Sequence, residues 1–251
     1  MLLARFPPKS VIVVLFCGAL GIACCFAQDA PVTNEYRVTL SPFHPITENL
    51  TGFGWLGYVT NPEANYTKYY LGYPGISYNL RPWFQIWGGL RGIYTDNYGG
   101  TDTFELRPFI GPKIFVPNNR KMNVYNYTRY EARNIYSHGT HDWTLENRIR
   151  SRFGAEIPLT SVANAWKPRT FYALVDVEPF WQIGAGLNMF RFRAGLAYIP
   201  DSRIRVEFIY HTQWGQEAGS DALIYNENIF RVNIKLASKR GLLGRVSNPG
   251  L

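Results

Sequence analysis

A chain of 251 residues with 26 Lys and Arg against 18 Asp and Glu has the length of a single domain and a net charge of +8. All three cysteines, Cys17, Cys24 and Cys25, lie in the first 27 residues, so beyond that point disulfides, thiol nucleophiles and Cys-ligated metals are excluded. The basic excess would suit a nucleic-acid binder in the cytoplasm, but the N-terminal residues point away from that compartment.

Those residues read as an export signal, residues 1–27. Arg5 and Lys9 form a basic start, Val11 to Cys25 an apolar run, and Phe26-Ala27 a cleavage site before Gln28. A lipoprotein start at Cys24 is the rival, although Gly21 stands where such signals want a bulky aliphatic residue. Removing Arg5 and Lys9 lowers the net charge to +6. An exported chain rarely meets nucleic acid, so none is expected as a partner. Residues 28–50 read as a periplasmic N-terminal segment, 51–236 as the folded domain and 237–251 as a basic C-terminal tail.

Within 51–236 about ten segments repeat with a period of two, which is the spacing of a strand with two unlike faces. They lie near 52–60, 66–80, 82–95, 103–117, 121–136, 142–158, 169–180, 188–199, 203–214 and 225–236. "TFELRPFIGPKIFV" carries Pro108 and Pro112, which a helix interior would not tolerate. Yet it sets Phe104, Leu106, Ile110, Ile114 and Val116 against Glu105, Arg107 and Lys113. "WTLENRIRSRFGAEI" sets Trp143, Leu145, Ile149, Phe153 and Ile157 against Glu146, Arg148, Arg150, Arg152 and Glu156. "RIRVEFIYHTQW" opposes Val206, Phe208 and Tyr210 to Arg205, Glu207 and His211. Tight links such as Arg81-Pro82 and Pro200 to Ser202 alternate along the chain with longer ones such as "TDNYGGTD" and "SHGTHD". That pattern predicts short turns, with both chain ends, on one side, and long loops on the other; only "TSVANAWKP" is long on the short side.

A secreted β-sandwich would alternate too, but its outward face is polar only in part. Here one face is dense in Arg and Glu and the other in Phe, Tyr and Trp. An antiparallel transmembrane β-barrel of about ten strands, with twelve possible, accounts for both faces: apolar toward lipid, charged toward the interior. Outer-membrane lipid and the barrel-assembly machinery are then the expected partners, and the bacterial outer membrane the expected location.

The succession "GISYNL…WFQIWGGLRGIY", "ELRPFIGPKIF", "YTRYEARNIY", "NRIRSRFGAEIPL", "FYALVDVEPFW", "FRAGLAYIP" and "RIRVEFIYHTQ" resembles the bacterial family called domain of unknown function 2490, over about residues 50–236. The resemblance implies an outer-membrane barrel with R-x-E-x-R and R-x-R-x-R strands and an E-P-F segment. It implies no activity. The chain departs from many such barrels by continuing past Leu236 with "ASKRGLLGRVSNPGL" in place of a terminal aromatic.

The interior-facing charges are the candidate site. Arg129, Glu131 and Arg133 on one strand should face Glu146, Arg148, Arg150 and Arg152 on the next, with Asp176 and Glu178 following. Arg191, Arg193, Arg205 and Glu207 continue the set. Strands just under about 5 Å apart let guanidinium forks reach carboxylates across the ladder. Such pairs either neutralise a narrow, structural interior or leave a positive surface for small anionic solutes, centred on Arg129, Arg133, Arg148, Arg150 and Arg152. His138-x-x-His141 lacks a located third ligand, so no metal site is expected. His211, Ser220 and Asp221 supply the parts of a lipid hydrolase at the rim, but no known hydrolase motif surrounds them; no catalytic residue and no cofactor are assigned.

Overall fold

The computed structural model describes residues 32–72, 74–116, 122–160, 168–216, 222–239 and 242. The chain first runs through β1 (Thr33–Pro45), β2 (Leu50–Phe53), β3 (Leu56–Asn61), β4 (Tyr66–Tyr70), β5 (Gly75–Arg81) and β6 (Phe84–Asn97). It continues through β7 (Thr103–Val116), β8 (Asn123–Ser137), β9 (Trp143–Pro158) and β10 (Thr170–Gln182). It ends with β11 (Gly186–Asp201), β12 (Ile204–Gln216) and β13 (Leu223–Ala237).

From β6 to β13 each strand pairs antiparallel with the next. On its other side β6 is shared: its first half pairs β5 and its second half β4. β5 continues to β2 and β4 to β3, and β1 lies against both β2 and β3. β2 with β3, and β4 with β5, are therefore the two halves of interrupted staves. Any cut across the wall meets eleven staves, inside the expected range of ten to twelve.

The circle closes where β1 pairs parallel with β13, from Thr33 opposite Glu227 to Phe43 opposite Ala237. With an odd number of alternating staves the first and last must run the same way. The antiparallel expectation therefore fails at this one seam. Chain direction follows: β1 begins at one end of the barrel, called here the Thr33 end, and β13 finishes at the other, the Ala237 end. The chain does not enter and leave on the same side, contrary to the sequence expectation. Nor do link lengths separate the two ends. The strand ends that flank 46–49, 82–83, 117–122, 159–169 and 202–203 lie at the Ala237 end, and those that flank 62–65, 98–102, 138–142, 183–185 and 217–222 at the Thr33 end.

β1 occupies residues expected to precede the barrel. Its alternation is genuine: Tyr36 and Val38 face out, Glu35 and Thr39 are buried inside. Proline is disfavoured inside a strand because it gives the ladder no N–H, and β1 carries two, Pro42 and Pro45. Pro42, which has no N–H to give, falls where β1 changes partner from β3 to β2. Its carbonyl accepts from Gly54 at 2.9 Å, across the interruption between β2 and β3.

The face assignments match the alternation. Leu145 and Phe208 are 61% and 59% exposed on the outside, whereas Arg150 and Glu207 are buried inside. Outside aromatics concentrate toward the Thr33 end, where rings touch in series from Tyr58 through Tyr69 and Tyr94 to His138, Tyr136 and Trp143. Fully buried apolar groups are few. Phe43, Ala237 and Leu242 cluster with Phe53 and Trp87 near the Ala237 end, and Tyr172, Ala197 and Ile199 with Leu174 on β10 and β11. Most of what this fold buries among the described residues is polar or charged.

Candidate functional site

Backbone register puts the expected ladder in place. On β8 and β9, Arg129 stands opposite Arg150, Glu131 opposite Arg148, and Arg133 opposite Glu146. On β10 and β11, Asp176 stands opposite Arg193 and Glu178 opposite Arg191. Every second residue of each strand projects inward, so these side chains meet in one layer of the interior.

Glu131 is the hub of that layer and is wholly buried. Its carboxylate accepts from Arg129 Nε at 2.6 Å, from Arg148 Nε at 3.1 Å and from Arg150 Nη1 at 3.4 Å, and Arg107 Nη1 lies 3.6 Å away. Glu178 takes Arg150 through two donors, at 2.9 and 2.6 Å, and Arg152 at 3.0 Å. Asp176 is held by both donors of the Arg193 fork. Arg133 reaches Glu105 at 3.0 Å and also Glu146. Burying this many charges is tolerable because nearly every guanidinium on this wall has a carboxylate and every carboxylate has several donors.

A second group lies toward the Ala237 end. Arg205 bridges Glu156 at 2.9 Å and Glu207 at 2.8 Å, and Lys235 joins Glu207 at 2.7 Å. A third lies toward the Thr33 end. There Glu35 pairs with Arg37, and Tyr66 donates its hydroxyl proton toward Glu35 and Glu227.

Sequence reasoning centred the candidate anion surface on Arg129, Arg133, Arg148, Arg150 and Arg152, each of which reaches a carboxylate. Arg148 and Arg150 are neutralised by Glu131 and Glu178. Two interior guanidiniums, Arg191 on β11 and Arg231 on β13, meet no carboxylate within ion-pair distance among the described residues. Arg191 gives its hydrogen bonds to Gln213 Oε1 (3.2 Å from Nε), and Arg231 gives two to Thr39 Oγ1, at 3.2 and 3.1 Å. Arg231, Glu35, Arg37, Glu105, Glu156, Glu227 and Lys235 were not among the candidates. Each shares the inward parity of a strand, and that was the signal.

Interior aromatics were missed as well. Phe180 is buried among the guanidiniums of Arg150, Arg148 and Arg191, whose Cζ atoms lie 4.3, 5.1 and 5.2 Å from its ring centre. A ring face of this kind stabilises cations while excluding water. Trp55 does the same from an unexpected place. It sits in the interruption between β2 and β3, stacks on Tyr70 at 5.8 Å, and lies 4.6 Å from Arg91 and 4.9 Å from Arg231.

Two cavities occupy the interior, about 500 Å³ toward the Thr33 end and about 190 Å³ toward the Ala237 end. Both are lined by Trp55, Arg91, Arg129, Arg152, Arg193 and Arg231, which therefore form the boundary layer between them. The larger cavity counts twelve Lys and Arg in its lining against three Glu.

The remaining candidates fall elsewhere. His138 packs edge-on against Tyr94 and Tyr136, and His141 Nδ1 lies 3.2 Å from the Tyr136 hydroxyl, all in link 138–142 and its flanks. Among the described residues no group of three or more His, Cys, Asp or Glu is placed to hold a metal. Ser220 and Asp221 lie outside the described residues, and His211 is buried in the interior.

Eleven staves, an apolar exterior and a buried Arg/Glu network define the molecule as a closed β-barrel with a charged interior. The family model described as Protein of unknown function (DUF2490) matches residues 44–223, and the chain belongs to that family. The match runs from the end of β1 to the first residue of β13, so most of the two seam strands lie outside it. No curated protein matches the chain.

Proposed function

We propose that this protein is an exported outer-membrane barrel whose interior binds small anions and passes them only slowly. The observation that carries the reading is the inversion of a soluble protein: large apolar side chains ring the outside and an excess of guanidinium lies within. Strands of thirteen to sixteen residues from β6 onward exceed the roughly 9–11 that a tilted bilayer crossing needs. The aromatic series near the Thr33 end suits the level of lipid headgroups. An interior with a boundary layer of packed side chains favours retention over free flow. Dense pairing around Glu131 also fits a purely structural barrel, and the test separates the two.

The refolded protein should migrate differently on gels before and after boiling, and the native protein should fractionate with outer membranes. In planar bilayers, a salt gradient should give a small conductance with a reversal potential of anionic sign, strongest at low salt because mobile ions screen the interior field. Recovery of the protein in the soluble periplasmic fraction would sink the membrane assignment. A folded barrel that neither conducts nor binds any anion would leave the charges structural.

A further inference from the structure

Charge is distributed unevenly around the circumference of the interior. The guanidiniums of the wall from β7 to β10 are paired with carboxylates, whereas Arg191 on β11 and Arg231 on β13 have only neutral acceptors. Between these strands β12 carries His211, which is 1% exposed, and neither of its ring nitrogens has a hydrogen-bond partner among the described residues. Buried polar groups are almost always satisfied, because an unpaired one has given up its bonds to water for nothing in return. An imidazole with both nitrogens unused, in a chamber that also holds two uncompensated guanidiniums, is therefore an arrangement waiting for an acceptor.

The register explains why the three converge. His211 stands directly opposite Arg193 on β11 and Ile229 on β13. Arg191 and Arg231 are its diagonal neighbours, opposite Gln213 and Ile209. Arg193 is already held by Asp176 and Ile229 is apolar, so neither satisfies the ring. All three groups line the same 500 Å³ chamber, ample for a small solute with its residual water. Aromatic faces hold the guanidinium planes in advance: Phe180 lies under Arg191 and Trp55 against Arg231. Less side-chain freedom is then lost when a ligand arrives.

We propose that Arg191, Arg231 and His211 form a subsite for a dianionic oxyanion, inorganic phosphate or the phosphoryl group of a small phosphomonoester. Two guanidiniums lacking counter-charge are balanced by two negative charges, where a monocarboxylate supplies one. Two forks and one imidazole N–H offer donors to several oxygens, which suits a tetrahedral group. This rests on the reading that the interior admits anions.

The test is calorimetric titration of the folded, detergent-solubilised barrel with inorganic phosphate and, separately, acetate at low salt. Phosphate should bind saturably at one site and acetate far more weakly. Arg191→Gln and Arg231→Gln should each weaken phosphate by about tenfold or more, while Arg203→Gln in link 202–203 should leave it unchanged. Gel migration before and after boiling verifies that each variant is folded. The unaltered protein gives a second readout, since phosphate should shift the ring nitrogen resonances of one of its four histidines. If phosphate binds the wild type but both lumen variants retain that affinity, or all histidine signals stay still at saturation, the subsite is wrong while the anion-binding barrel stands. If acetate binds as tightly as phosphate, the dianion assignment is overturned. If no anion binds the folded wild type at all, the broader reading falls with it.

Discussion

At the scale of single residues, Glu131 governs more of the interior than any other side chain described. Four guanidiniums from β7, β8 and β9 converge on one fully buried carboxylate, so its charge offsets repulsion among them as well as pairing with each. Glu131→Gln should keep the shape and lose the charge. Removing one partner of a buried network costs about 3–5 kcal/mol, and that loss should appear as a lower urea midpoint in vesicle refolding. A change under about 1 kcal/mol would mean that water already screens the layer. On the outer face the opposite chemistry applies. Phe208 is flanked by Leu196 and Val232 in register, and Phe208→Arg should cost about 2–4 kcal/mol in the same assay if it lies near the bilayer midplane. Near-neutrality there would argue against a lipid-facing surface. Glu207, its neighbour, is no neutral control, because it holds Arg205, Lys235 and Asn233.

At the scale of elements, strands from β6 to β13 were legible because side chains keep one parity over many residues, and apolar groups outside with charge inside make the two parities chemically unlike. Legibility fails where that contrast weakens. β1 was read as part of a segment preceding the barrel, and β2 with β3 were read as one segment because a side-chain period does not report a broken ladder. Phe180 and Phe109 share the parity of arginines, so an alternation judged by polarity hid them. Parity shows which residues face inward, but it takes register to show which of them remain uncompensated; for that reason Arg231 outranks Arg148 only once β13 is set beside β1. Gly154 marks another such place. It occupies an inward position on β9, where an added Cβ would fall 2.8 Å from the Tyr125 ring and from Asp176 Cβ, so the absent side chain makes room for a ring that crosses the ladder.

At the scale of the whole molecule, an even-stranded barrel returns its chain to the side from which it started, whereas this one does not. The parallel seam of β1 with β13 gives the two ends of the folded chain different addresses. Beyond residue 27 the chain is free of cysteine, so single introduced thiols can report on those addresses without background. Val32→Cys and Lys239→Cys, treated with a membrane-impermeant maleimide on intact cells, should behave oppositely: one labels at once and the other only after lysis. Identical labelling of both would require an even wall and would break the seam. Such sidedness also bears on assembly. No hairpin can bring β1 and β13 together, because a hairpin makes antiparallel neighbours. The seam has to join the two most distant strands of the sequence in the same direction, so the barrel stays an open, unsealed sheet until its final strand is in hand.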